Sequence, residues 1–597
     1  MHRQVPTKVE LGALLSFLPY LGRHKRSLAL ASALMLVGAA GAMTFPYASR
    51  LAIDNYIVPR KPQGLLWLVA LIAGLMFLSN LANAYRIRLM ARVGQESIRR
   101  IRLDLFRHLQ HLPVAYFDKT PVGKVMTRLT SDVDALAELL SGSLIQMGGD
   151  LLTMVGFLLI MILVDWRLAL VTMAGLPPLV FAFTFLRGRI QRAEDEARER
   201  ASTVNATLQE DVSGIRVIQS FWAGRQFTAR FEEANQALLR AGLRAVFIFA
   251  FFWPIVDFAW VAGAGLILLY GGYRVLEGTL TIGVLAACIG YSGQFFGPLH
   301  GLSQAFRVIQ RALAGAVRIK QILDQSPEDL SGLPAMPPIE GRVEFVGTTF
   351  AYDEGRPVLT EIDLVAEPGA MVALVGRTGA GKTSLVNLLC RFYRPQAGRI
   401  LVDGIDINTT DLESYRRQVA LVLQEPFLFA GTIRENLRYG RNGASDAEME
   451  AALAAAGLAD TLAAQDMNLD TVLHERGGNL SSGQRQLLAF ARAILADPRL
   501  IILDEATAHV DTITERKVQA AMASLLARRT AFVIAHRLST IQAADRILLI
   551  EDGRIAERGS HAELIAARGR YWRLCCEQNL FTRGELDLPE EEPAAGE

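Results

Sequence analysis

Gly376-Arg377-Thr378-Gly379-Ala380-Gly381-Lys382-Thr383 follows the strand-like run Met371 to Val375 and opens a helical pattern. Glycines at this spacing let backbone N–H groups close around a phosphate, and the helix that follows turns its positive end to the anion. Lys382 would neutralise phosphate charge, and the Thr383 hydroxyl would hold Mg²⁺. A second apolar run, Leu500-Ile501-Ile502-Leu503, ends in Asp504-Glu505. Asp504 at a strand end suits the same metal, directly or through water, and Glu505 is placed to polarise an attacking water. A solvated carboxylate is the plain alternative for Glu505, outweighed by its neighbour and context. With Leu480-Ser481-Ser482-Gly483-Gln484 just upstream, three separated pieces converge on one nucleoside triphosphate and its magnesium.

The elements that must hold these residues belong to a chain of two unlike halves. At 597 residues, 51% hydrophobic and 20% charged, the composition lies between a soluble enzyme and a pure membrane bundle. Residues 341–580 alternate strand and helix patterns, as a soluble α/β domain does. The apolar excess sits in residues 1–310, where six runs, near 28–50, 65–88, 136–164, 167–187, 245–270 and 280–305, each approach the ~20 residues that cross a bilayer. Spans three and four are separated only by Asp165-Trp166-Arg167. The long connections near 89–135 and 188–244 carry most of the arginine and mark the cytoplasmic side. A formal charge of +2, with basic residues gathered by membrane side, gives no sign of a nucleic-acid partner. Cys288, Cys390, Cys575 and Cys576 have neither metal spacing nor a disulfide pattern and read as reduced packing thiols. The polar start, Met1 to Glu10, has no cleavable signal, so the first apolar segment is expected to remain as an anchor.

On these residues the chain resembles the ATP-binding cassette (ABC) exporters, whose signature is normally Leu-Ser-Gly-Gly-Gln. The resemblance implies a six-helix all-α permease domain over 1–325, a linker over 326–340, an α/β ATPase domain over 341–580, and an acidic tail over 581–597. It implies ATP and Mg²⁺ as ligands, with Gly376 to Ser384 around the phosphates. It places Tyr352 against adenine, Gln424 on metal and water, His536 at the γ-phosphate, and Asp511 at the nucleotide site. Residues 113–124 and 213–224 resemble the two cytoplasmic coupling segments, and Glu475-Arg476-Gly477 the segment that meets those of the opposite half. Because no cysteine-protease domain precedes the first span, a leader-trimming peptide exporter is not expected.

In this family two ATPase domains meet head to tail, so Ser481, Ser482, Gly483 and Gln484 would serve ATP held by a second half-transporter. Ser482 stands where glycine is usual, and Ala508-His509-Val510-Asp511 departs from the commoner pattern. Both departures resemble the glutamate-bearing half of a heterodimeric exporter; a homodimer stays open. The implied function is ATP-driven export of hydrophobic or amphipathic molecules, drug or lipid-like, through the cell membrane. A homodimeric lipid flippase and a non-transporting regulatory ATPase are the alternatives. Asp150 and Asp257 fall inside spans, where each costs ~2.5–3.5 kcal/mol on insertion scales. They are expected either to pair structurally, with Asn80, Asn83 or Gln294, or to face substrate among Trp253, Phe258, Trp260, Phe295 and Phe296.

Overall fold

Long apolar runs must satisfy their own backbone N–H groups, and the helix does so within one segment. The computed structural model describes residues 8–174, 176–295, 297–328, 332–353, 355–504, 512–535 and 537–577. The chain divides into two units, Met1–Gln110 with Val122–Gln325, and His111–Pro121 with Ser326–Glu597.

The first unit is helical. Its main helices are α1 (Lys25–Ala52), α2 (Leu65–Gln110), α3 (Leu144–Met173), α4 (Leu176–Ser213), α5 (Gly224–Ala250), α6 (Phe252–Leu276), α7 (Ile282–Phe295) and α8 (Gly297–Leu323). Among the described residues three stretches are long and apolar enough to cross a membrane, Lys25–Ile57, Leu65–Gln110 and Val122–Met173. The expected fifth span, 245–270, is not one helix. Its hydrogen bonding breaks at Phe251, which itself stays near helical geometry (φ −72°, ψ −14°), because Pro254 has no N–H to donate to the carbonyl of Ala250, the last residue of α5. The fourth is described as the end of α3 and the start of α4, on either side of residue 175. The sixth is described as α7 and α8, on either side of residue 296.

The expected turn between spans three and four is present at Asp165, which is extended at φ −159° and ψ 107°. Its carboxylate accepts the N–H groups of Arg167 at 2.9 Å and Leu168 at 3.2 Å, capping the helical segment that follows, and pairs with Arg274. Asp54 plays a matching part at α7, accepting from the Thr281 hydroxyl at 2.7 Å and the Gly283 N–H at 2.8 Å. Inside, Phe157, Met161, Leu168, Ile267, Cys288 and Tyr291 form a core cluster, and the Tyr291 hydroxyl donates to the Met43 carbonyl at 2.9 Å. Outside, large apolar side chains are bare, Leu66, Trp67, Phe77 and Leu163 among them. This inversion of the soluble pattern suits a lipid-facing surface.

The second unit is α/β. Its strands are β1 (Val343–Phe350), β2 (Leu359–Ala366), β3 (Met371–Val375), β4 (Ala397–Val402), β5 (Ile405–Asp406), β6 (Val419–Val422), β7 (Gly431–Thr432), β8 (Val472–Leu473), β9 (Leu500–Asp504), β10 (Thr530–Ile534), β11 (Arg546–Glu551) and β12 (Arg554–Gly559). The central sheet runs β12-β11-β3-β10-β9-β6, parallel except for β12 at its edge. Its inner strands are continuous apolar runs because both faces are covered. An antiparallel sheet, β2-β1-β4-β5, packs a second core of Phe345, Phe350, Ile362 and Leu364.

The linker expected over 326–340 is in good part a fixed strap. The Pro334 carbonyl accepts from the Asp411 N–H, Met336 N–H donates to the Ser414 hydroxyl, and Ile339 N–H donates to the Gln418 amide, each at 2.8 Å. Met336 and Ile339 are buried, so prolines here hold an extended chain against the domain rather than a free spacer. The tail over 581–597 lies outside the described residues.

Candidate nucleotide site

The phosphate loop leaves the carboxyl end of β3 and enters α9 (Lys382–Leu389). Gly376, Gly379 and Gly381 take φ of +149°, +86° and +110°, a region that glycine alone enters without strain. A side chain at Gly376 would meet the Ile550 carbonyl at 2.2 Å, and one at Gly381 would meet Leu359 at 2.7 Å. At Gly379 nothing stands within 4 Å. Two glycines thus seat the loop against its own domain and the third keeps the ligand side clear.

Arg377, Thr378 and Thr383 are exposed along this loop, Ala380 is half-buried, and Lys382 is buried. The Lys382 ammonium folds back over the loop, donating to the Gly376 carbonyl at 2.6 Å and the Arg377 carbonyl at 2.9 Å. Burial pulls its pKa below the usual lysine value, and the Asp504 carboxylate opposes that shift. Arg377 points the other way, to Glu577 at 2.8 Å.

Parallel register brings the other pieces to the same edge. Asp504, the last residue of β9, lies opposite Ile534 of β10, which lies opposite Leu374 of β3. Val422 of β6 lies opposite Leu503, so Gln424, two residues on and exposed, sits beyond the next strand end. Neighbouring strands are ~4.8 Å apart, which spreads the phosphate loop, Asp504 and Gln424 over a few strand widths, at the strand ends where open α/β sheets bind ligands. Glu505, His536 and Asp511 lie outside the described residues, as do Ala508, His509 and Val510. Oxygen donors at Thr383 and Asp504 are the hard ligands that Mg²⁺ takes.

Tyr352 stands beside this loop. Its hydroxyl and that of buried Ser384 are 3.0 Å apart, and Asn387 donates to it at 3.3 Å. The ring meets Phe350 and Tyr393 edge-on at 4.8 and 5.0 Å. Sequence reasoning did not find the next shell. Residues 111–121 belong to the second unit, and their short helix Val114–Lys119 grips the aromatic cluster. The Lys119 ammonium donates to the Tyr352 carbonyl at 3.2 Å and to Asp353 at 2.9 Å, while the Tyr393 hydroxyl donates to Asp118. Burial and Asp118 together push the Tyr393 phenol well above its usual pKa, so it keeps its proton for that bond. Only the family likeness of 113–124 hinted at this, because Tyr393 lies some 275 residues from Asp118 in the chain.

The signature opens α10 (Ser482–Ala496). Ser481 caps the helix: its hydroxyl accepts the Gln484 N–H at 3.2 Å, and the Gln484 side-chain oxygen accepts the Ser481 N–H at 2.8 Å. Gln484 is buried and also donates to Gln465 at 3.0 Å, so its amide is spent on holding the turn. Ser481 and Ser482 are exposed at the tip and Gly483 is buried. Ser482, at the first helical position, meets no steric demand for glycine. Glu475 and Arg476 are exposed on a tight turn nearby, with Arg476 at φ +57°.

In the first unit Asp150 accepts from Gln146 at 2.7 Å, and Arg86 bonds both Asn83 and Gln146. Of the partners expected for Asp150, Asn83 is thus joined to it only indirectly, and Asn80 bonds its own backbone at Met76. Asp257 is exposed on α6, with no hydrogen bond or ion pair among the described residues. Phe258 is bare, whereas Phe295 packs into the core cluster; the side chains of Trp253 and Phe296 are not among those described. Cys288, Cys390 and Cys575 are buried and Cys576 is half-buried. Burial pushes the Cys390 thiol up to about 12, which removes it from thiolate chemistry.

Comparison with known proteins agrees with this geometry. The family model for the ABC transporter transmembrane region matches residues 28–299, and that for the ABC transporter matches 359–508. A fatty acid ABC transporter ATP-binding/permease protein of Mycobacterium bovis is 40% identical over 487 residues, 82% of this chain and 77% of that protein. An ATP-dependent lipid A-core flippase of Syntrophus aciditrophicus is 34% identical over 553 residues, 92% of each chain. The structure of a bacterial Atm1-family ABC exporter with ATP bound superposes with a TM-score of 0.78 at 28% identity, covering 94% of this chain and 99% of that one. A phosphate loop, a strand-end carboxylate and a capped signature helix, carried on the same chain as a helical membrane unit, place the protein in the ABC transporter family as an ATP-hydrolysing exporter subunit with fused permease and ATPase.

Proposed function

We propose that this chain is one half of a two-chain exporter that moves amphipathic, lipid-like or drug-like molecules out of the cytoplasm or the inner leaflet by alternating access. The membrane is the cell membrane, with the ATPase unit in the cytoplasm, a placement that the arginine-rich long connections support. Relatives are named for fatty acid and for lipid A-core, which supports an amphipath over a small polar solute.

The observation that carries the reading is the convergence of the phosphate loop, Asp504 and Gln424 at one sheet edge, on a chain with long bare apolar helices. Within it, the loop N–H groups and Lys382 hold the phosphates and Tyr352 stacks on adenine. Thr383, Asp504 and Gln424 would hold Mg²⁺, which when bound would neutralise charge on the phosphate oxygens. Glu505 accepts a proton from the attacking water, and His536 orients the γ-phosphate.

The second chain follows from the exposed serine tip of α10 and from Phe221 and Trp222, which are 80% and 93% exposed at the end of the 213–224 segment. Aromatics so placed ask for a partner surface, and a head-to-tail motor supplies one. Ser482 and His509 favour a partner with a different sequence. Purified with its partner and reconstituted in proteoliposomes, the protein is expected to show ATPase stimulated by amphipaths and directional movement of them. Stimulation without movement would assign it instead to regulation.

A further inference from the structure

Away from the nucleotide, the first unit holds a cavity of about 250 Å³ between α1, α2 and α3. Met35, Ala39, Ala42 and Met76 make part of its wall apolar. The rest is polar and contains two opposite charges. Arg86 is only 8% exposed; its Nε and Nη2 donate to Asn83 Oδ1 at 3.2 and 2.8 Å, and Nη2 also reaches Gln146 Oε1 at 2.8 Å. Gln146 Nε2 in turn donates to Asp150 Oδ1 at 2.7 Å. The cation and the carboxylate are therefore joined through a neutral amide. Arg86 Nη1 and Asp150 Oδ2 make no hydrogen bond among the described residues. Asp150 Oδ2 lies close against Gly301 of α8, where any side chain would come within 2.2 Å of it, so only glycine lets the carboxylate keep this place in the wall.

A ligand of one charge would satisfy one of these groups and leave the other unmatched at low dielectric, whereas a ligand carrying both charges satisfies both. The volume is below the ~300–1,000 Å³ of pockets that enclose a whole drug-sized molecule, and it suits a headgroup whose chains stay in lipid. Along α2 the residues after Arg86 include Arg88 and Arg92, which mark the cytoplasmic end of the span under the proposed orientation. We infer that this cavity binds a zwitterionic headgroup, its phosphate or carboxylate on Arg86 and its ammonium on Asp150. The inference deepens the export reading and rests on it by naming the headgroup class of the cargo.

The test uses the full chain with its partner in nanodiscs that hold equal amounts of phosphatidylethanolamine, phosphatidylglycerol and diacylglycerol with the same acyl chains. Native mass spectrometry of the released complex counts the lipid retained. Wild type is expected to keep phosphatidylethanolamine at least about tenfold over the other two. Asp150→Asn should turn the preference to phosphatidylglycerol, because Arg86 is left without a counter-charge, and Arg86→Gln should lose the hold on both phospholipids. Equal retention of the three lipids by wild type would overturn the inference even if neither variant folds. So would two folded variants with wild-type selectivity, which would make Arg86-Gln146-Asp150 a structural tie. Soluble phosphoethanolamine is the second probe: displacement of the retained lipid at millimolar concentration supports a site for the free zwitterion as well as the lipid, and no displacement supports the lipid headgroup alone. Absence of ATPase stimulation by any amphipath would count against export itself, whereas stimulation without headgroup preference counts only against this site.

Discussion

Glu505 follows the residue that ends β9, and a positioned general base contributes ~10²–10⁴-fold to a rate. Glu505→Gln, assembled with the partner chain, is therefore expected to bind ATP as wild type does and to lose turnover by a factor in that range, read as kcat against nucleotide affinity. Turnover within a few-fold of wild type would remove Glu505 from the role of base. Tyr352 separates two contributions that its position combines. Tyr352→Ala should weaken ATP binding by ~1–3 kcal/mol, the usual worth of a base stacked on an aromatic ring. Tyr352→Phe keeps the ring and loses only the hydroxyl's contacts with Ser384 and Asn387, so its affinity, measured by calorimetry, should stay within a few-fold. Equal losses in the two variants would mean that the hydroxyl, and not the face of the ring, carries the effect.

Among elements, the short helix Val114–Lys119 is the informative one. It lies against the aromatic cluster through Asp118 and through Lys119, the latter bound to the backbone of Tyr352 itself. Its ion pair with Asp353 is exposed and is worth little by itself. The Tyr393 to Asp118 bond carries more of the attachment, because the phenol is half-buried and meets a charged acceptor. Asp118→Ala is expected to lower the stimulation of ATPase by transported amphipath more than it lowers the basal rate, checked by assaying both in the same proteoliposomes. A proportional fall in both rates would make the contact a support for the fold of the aromatic cluster and nothing further. In α10, by contrast, the capping box spends Gln484 locally, so the helix tip offers Ser481 and Ser482 outward and little else.

For the whole molecule, the signature tip and the bare Phe221 and Trp222 are incomplete surfaces in a single chain. Purified alone, the protein should hydrolyse ATP poorly, and co-expression with a second half-transporter should restore activity and give an equimolar complex by native mass. A fully active homodimer would instead make Ser482 a tolerated variation, which its exposed position at the start of α10 permits on steric grounds.

Motif chemistry was legible in the chain because it is local: glycine spacing, an apolar strand ending in two carboxylates, and the Leu480 to Gln484 signature each need only a few consecutive residues. The two unlike halves, the tight turn at Asp165 and the fused organisation were legible for a similar reason, since hydropathy and charge accumulate along the chain. Tertiary structure decided what depends on register and on distant partners. That Asp504 and Gln424 stand beside the phosphate loop follows from the strand order β3-β10-β9-β6, which no local pattern encodes. The strap at Pro334 to Ile339, which composition offered as an extended linker, is held by Asp411, Ser414 and Gln418, some eighty residues on. The break at Phe251 was hidden because hydropathy is blind to the missing N–H of Pro254. Asp150 was expected to pair with Asn80, Asn83 or Gln294 or to face substrate, and its joining to Arg86 through Gln146 needed α2 and α3 side by side, because burial at low dielectric makes such charges seek partners that only packing can bring.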